Sequence, residues 1–142
     1  MSSRTAALAL VLPVLALGGC TSGDKDSSGD FQGEQQQVAK AVEDLQSAGR
    51  AKDAEEICQE RLAPALVKSI AAASKTDCQS AVDDALDDAD VFELKVQKVA
   101  VNGNAATATV KSEAGDDDRV DELQLVKDGR TWKVASLGGS AG

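Results

Sequence analysis

FELKVQKVAVNGNAATATV, residues 92–110, decides how the chain is read. Phe92, Leu94 and Val96 alternate with polar residues, the period of a strand with one buried face. The phase slips before Val99 and Val101. That slip predicts a β-bulge and a bent strand over residues 91–101. Asn102-Gly103 marks a tight hairpin. Beyond it Ala106, Ala108 and Val110 resume the apolar face, and Thr107 and Thr109 take the other.

Downstream the same logic continues. Residues 113–118 form a polar loop with Asp116, Asp117 and Asp118. Leu123 and Leu125 mark a third strand, Asp128-Gly129 a second turn, and Trp132 and Val134 a fourth strand. Residues 138–142 read as a frayed tail.

Upstream the period lengthens to that of a helix. Val38, Ala41, Val42, Leu45 and Ala48 share one face from Glu34 on, and Gly49 is the expected stop. Asp53 is placed to cap a short second helix through Cys58 and Glu60. Pro64 suits the first turn of a third, where its missing N–H is no loss, with Leu66, Ile70 and Ala73 on one face. Thr76 and Gln79 have the spacing of a capping box. A fourth helix follows, with Cys78, Val82, Ala85, Leu86 and Ala89 on one face. Helices first and a meander after predict an α+β domain over residues 34–137. Its N-terminal helices pack on one face of a curved four-stranded antiparallel sheet.

The chain has 142 residues, enough for one domain. It carries 24 Asp plus Glu against 15 Lys plus Arg, a net charge of −9. That balance opposes nucleic-acid binding, which needs cations to replace phosphate counterions. His and Tyr are absent, which removes the commonest general base and the commonest zinc ligand. No metal and no cofactor is expected.

The N-terminus carries a targeting pattern. Arg4 is followed by an apolar run, residues 6–17, interrupted by Pro13. A membrane-spanning helix needs about 20 apolar residues, so the run fits the core of a secretory signal instead. Leu17, Gly18, Gly19 and Cys20 close it and resemble a bacterial lipobox. The resemblance implies a signal peptide over residues 1–19, a diacylglyceryl group on the Cys20 thiol, and cleavage just before that residue. Two or more acyl chains would hold the protein stably to a membrane. The expected location is the cell membrane, lipid-anchored on its extracytoplasmic side. Residues 20–33 read as the lipidated cysteine and a flexible tether, too poor in apolar surface to fold. Asp24, Asp26, Ser28 and Gly29 imitate the start of a calcium loop. Gln35 stands where the bidentate Glu should be, so the segment reads as a solvated spacer.

Cys58 and Cys78 remain once Cys20 is lipidated. An exported chain meets an oxidising environment, so an inter-helix bridge is the leading expectation over two buried thiols. Closing a loop of that size stabilises a fold by roughly 3 kcal/mol on the chain-entropy model. Asp83, Asp84, Asp87, Asp88 and Asp90 crowd the fourth helix and its exit, and read as a solvated face.

QSAGRAKDAEEICQERL, TDCQSAVDDAL, VNGNAATATV and LQLVKDGRTWKVASL, in this order, resemble the nuclear transport factor 2-like superfamily. They are more closely similar to small actinobacterial lipoproteins of that type, and the abundant Ala, Asp, Gly and Val suit such a source. The resemblance spans residues 34–137. It implies a cone-shaped α+β fold and, typically, a bridge between the two helix cysteines. Enzymes of the superfamily generally pair a pocket Asp with His or Tyr, and no position here matches them. A lone carboxylate, Glu93 or Asp90, is the remaining catalytic candidate. The expectation is therefore a non-catalytic binding or interaction module of the cell envelope. Its partner is the membrane through Cys20, together with an envelope protein or a small apolar ligand. A ligand would occupy the cone, where Ala106, Ala108 and Ala135 leave room; a partner protein would dock on the outer sheet face.

Overall fold

The computed structural model describes residues 27–89, 93–114 and 117–140. Four helices come first and a four-stranded antiparallel sheet follows, in the order β1-β2-β3-β4. This is the expected α+β arrangement of the nuclear transport factor 2-like kind.

Helix α1, Glu34–Arg50, crosses one face of the sheet. Val38, Ala39, Val42, Leu45 and Ala48 are buried, the three-and-four spacing of a single inward stripe. Gly49 does not end the helix; it is buried in the last turn. The exit falls at Lys52, with φ 55°, where Asp53 N–H donates to the Ala48 carbonyl at 2.9 Å. Asp53 then caps α2, Ala54–Glu56, its Oδ1 accepting from Glu56 N–H at 2.9 Å.

The predicted second helix is cut short by a π turn, Ile57–Arg61, closed by Leu62 N–H on the Ile57 carbonyl at 3.0 Å. Leu62 then runs extended beside Val134, and Ala63 N–H donates to the Val134 carbonyl at 2.7 Å. That contact covers part of the free edge of β4. Helix α3, Pro64–Ser74, begins on its proline as expected. It has no fully buried residue: Leu66, Val67 and Ile70 are half-buried and Ala73 is exposed.

Helix α4, Cys78–Asp88, is capped by Asp77 rather than by the Thr76–Gln79 pair. The Asp77 carboxylate accepts from Ser80 N–H at 3.0 Å and from Ser80 Oγ at 2.8 Å. A charged acceptor held twice outcompetes a threonine hydroxyl one residue earlier. Cys78 and Leu86 are buried, Val82 is half-buried, and Ala85 and Ala89 are exposed.

The strands are β1 Leu94–Asn102, β2 Ala105–Ala114, β3 Asp117–Asp128 and β4 Thr131–Ser140. The predicted bulge is present between Val96 and Lys98. Both hairpins form, each shifted by one residue. Asn102 pairs with Ala105, so the turn is Gly103-Asn104; Asp128 pairs with Thr131, so the second is Gly129-Arg130. The glycines, at φ 61° and 63°, occupy the first central position, the II′ arrangement.

Strand β4 runs beyond the predicted end at Leu137 and takes in Gly138, so residues 138–140 are not tail. Register slips of β4 against β3 lie between Gln124 and Leu125 and between Asp121 and Leu123. Ala135, unpaired at the first, alternates with the buried Trp132 and Val134 and lies on the outer face of the sheet. The second brings Gly138 so close to β3 that a Cβ there would overlap the Glu122 carbonyl oxygen.

The core is one cluster joining α1 to the sheet. Leu125, Val38, Val42, Val110 and Val134 are its largest fully buried members, and Ala106 and Ala108 belong to it. Side chains of α1 protect the free edge of β1: Gln35 Nε2 donates to the Val99 carbonyl at 3.0 Å, and Gln46 Oε1 accepts from Leu94 N–H.

The chain enters the fold earlier than expected. Residues 27–33, assigned to the tether, are packed: Ser27 is buried, Ser28 N–H donates to Glu43, and Phe31 lies against the core. No helix among the described residues is long and apolar enough to cross a membrane.

Candidate functional site

Three elements converge beside Trp132. Helix α1 contributes Glu34, Lys40, Ala41 and Asp44 along one flank. The β3–β4 hairpin contributes Lys127, Arg130 and Trp132, and the π turn contributes Arg61. They line an open cleft of about 590 Å³, within the size range of small-molecule sites.

Glu34 organises its inner end. Its Oε1 accepts from Lys127 Nζ at 2.7 Å and its Oε2 from Trp132 Nε1 at 3.1 Å. Lys127 Nζ also stands 5.7 Å from the centre of the Trp132 ring, within cation–π range. The lysine, and then the indole N–H, hold the Glu34 carboxyl below the usual carboxylate range. Further out, Lys40 pairs with Asp44 at 2.8 Å, and Arg61 reaches Asp44 at 3.5 Å and Glu56 at 2.5 Å. Arg130 has no ion pair among the described residues and stands at the turn of the hairpin. Four cations thus face two carboxylates across the cleft, in a chain whose net charge is −9. The wall offers N–H donors beside the apolar Ala41 and the Trp132 ring. This suits a small molecule with carbonyl or anionic oxygens on one edge.

The residues singled out from sequence lie elsewhere. Leu17, Gly18, Gly19 and Cys20 fall outside the described residues, as do Asp24, Asp26 and Asp90. Cys58 and Cys78 are bonded, with Cα atoms 6.2 Å apart, and join the π turn to α4. Gln35, in the last position of the calcium look-alike, has its amide committed to β1.

Glu93 does not enter the cone. It is half exposed and 3.6 Å from Arg50. Asp83, Asp84, Asp87 and Asp88 are exposed on α4, and Asp87 pairs with Lys52 at 3.0 Å. Among the described residues no three His, Cys, Asp or Glu side chains are grouped to hold a metal ion.

Ala106 and Ala108 are enclosed in the core, and Ala135 faces outward. There it lines a shallow apolar groove of about 320 Å³ with Ala100, Thr107, Gln124 and Val126. Sequence reading missed the Glu34–Lys127–Trp132 constellation. The one partial cue was Trp132, the single Trp of an aromatic-poor chain, two residues past the Gly129-Arg130 turn; nothing in the sequence pointed to Glu34 as its partner.

Comparison with known families adds one observation. Residues 74–137 are similar to a family described as "Putative lumazine-binding". The matched stretch takes in α4, the first three strands and β4 as far as Leu137, less than half of the chain. It includes the β3–β4 wall of the cleft and leaves out α1. Comparisons with curated proteins and with solved structures returned no match.

Proposed function

We propose that the protein is a lipid-anchored extracytoplasmic domain that binds a small ligand in the cleft between α1 and the β3–β4 hairpin, without catalysing a reaction on it. The cleft carries the ligand reading: about 590 Å³, cation-rich, and walled by the stretch that matches a family described as lumazine-binding. The lipobox-like Leu17-Gly18-Gly19-Cys20, and the likeness to small actinobacterial lipoproteins, support the anchor. The non-catalytic reading draws on the state of the acids. The cleft carboxylate Glu34 is held ionised by its two donors, the opposite of a poised general acid. Glu93 is at the surface.

Lumazine is the first compound to test, because its ring carbonyls suit the N–H donors of Lys40 and Arg130. Trp132 is the only tryptophan, so titration is read directly from its emission. Saturable quenching is expected, weakened at least tenfold by Arg130→Ala if that side chain supplies a charge-assisted hydrogen bond worth about 1.5–3 kcal/mol. No saturable change with lumazine or related heterocycles would remove the cleft as their site. A second reading, docking of a partner protein, draws on the outer-face groove and the exposure of Val126 on that face. Under it, substitution of Val126 by Asp disrupts the interaction and leaves the cleft titration unchanged.

A further inference from the structure

We infer that the domain lies with its β1 flank toward the bilayer and its cleft toward the aqueous phase. This rests on the anchor reading above. The point where the chain enters the fold decides it. Ser27 is buried at 6% exposure, and the 3-10 turn Ser27–Asp30 lies against α1 and β1. Its Ser28 N–H donates to Glu43. On α1, Glu43 sits on the side of Gln35 and Gln46, the two residues bonded to β1. The cleft runs along the opposite flank, where Glu34, Ala41 and Asp44 face the β3–β4 hairpin. The point where the chain enters and the cleft therefore stand on opposite sides of α1.

Chain length turns this into a constraint. Residues 21–26 separate Cys20 from Ser27. Fully extended, that stretch reaches at most about 25 Å. A small domain is about 30 Å across, so half its girth is about 45 Å. The tether is too short to pass round the domain and bring the cleft to the membrane. The strand nearest the bilayer exposes Lys95 and Lys98, whose ammonium groups suit lipid phosphates. The ligand then reaches the cleft from water, which makes it a dissolved molecule and not one drawn from the bilayer.

The test uses the full chain, expressed where lipoproteins are processed and placed with its lipid in vesicles of phosphatidylcholine and phosphatidylglycerol. Mass spectrometry of the N-terminal peptide reads the lipid on Cys20. A thiol-specific fluorophore is placed at Lys98→Cys in one variant and at Arg130→Cys in another, with the native bridge kept oxidised. A headgroup-borne quencher is expected to dim the Lys98→Cys probe several-fold more than the Arg130→Cys probe, and aqueous iodide to do the reverse. Equal quenching, or the opposite order, in protein with a confirmed lipid overturns the orientation alone. An unmodified Cys20 overturns the anchor and the orientation with it.

Discussion

At the scale of single residues, Glu34 holds the cleft together. One carboxylate receives both the Lys127 ammonium and the Trp132 indole N–H. Its pKa is lowered in the fold, so what it contributes to stability is fully present above the ordinary glutamate pKa. The contribution is lost as pH falls through the folded value. Acid titration should therefore change Trp132 emission below the ordinary glutamate range, and Glu34→Gln should abolish that step. An unchanged titration in Glu34→Gln would show that another group controls the indole. Gly138 is the second decisive residue. A Cβ there meets the Glu122 carbonyl, part of a backbone that cannot swing aside. Gly138→Ala should cost about 1–3 kcal/mol in denaturant unfolding, the range for forced overpacking. A variant as stable as the parent would mean that the β3–β4 bulge yields freely.

At the scale of elements, α1 is held by its buried apolar stripe, whereas α4 relies on a covalent cross-link beside slight apolar burial. Helix α3 buries no residue fully, and α4 buries only Cys78 and Leu86. The Cys58–Cys78 bond ties α4 to the π turn, and that turn in turn supplies Arg61 to the cleft and Leu62 to the β4 edge. Replacing both cysteines by Ala should lower stability by roughly 3 kcal/mol. The Tm should fall by on the order of 10–20 °C for a domain of this size. The loss should appear in thermal unfolding of the oxidised protein and vanish when both proteins are compared reduced. An equal Tm for oxidised parent and double variant would assign the hold on α4 to its packing alone.

At the scale of the whole molecule, location and orientation govern what the cleft can meet. Cys20→Ser should move the protein from the membrane fraction to the soluble one, or leave an unprocessed precursor of higher mass. Unchanged mass and fractionation in that variant would argue against the lipid. If Cys20 carries the lipid, the packed start at Ser27 leaves six residues between the anchor and the fold, which would hold the domain close to the bilayer. A longer tether would let the domain tumble and would leave no preferred face.

Much of this was legible along the chain because it depends on local periodicity. The alternation after Phe92, its slip before Val99, and the two Gly turns each encode a strand or a hairpin within a few residues. The stripe from Val38 to Ala48 does the same for α1. What stayed illegible depends on groups far apart in sequence. Glu34 and Trp132 are joined across the whole fold, and neither side chain alone announces a site. Ala135 read as a small core residue beside Ala106 and Ala108, yet it alternates with the buried Trp132 and Val134 and so faces outward. Gly49 read as a helix stop, and burial in the core kept it helical. The order and type of the elements follow from local hydrogen bonding and side-chain period, so they can be read along the chain. The cleft, the Glu34–Lys127 pair that closes it and the flank by which the chain enters arise only where distant segments pack.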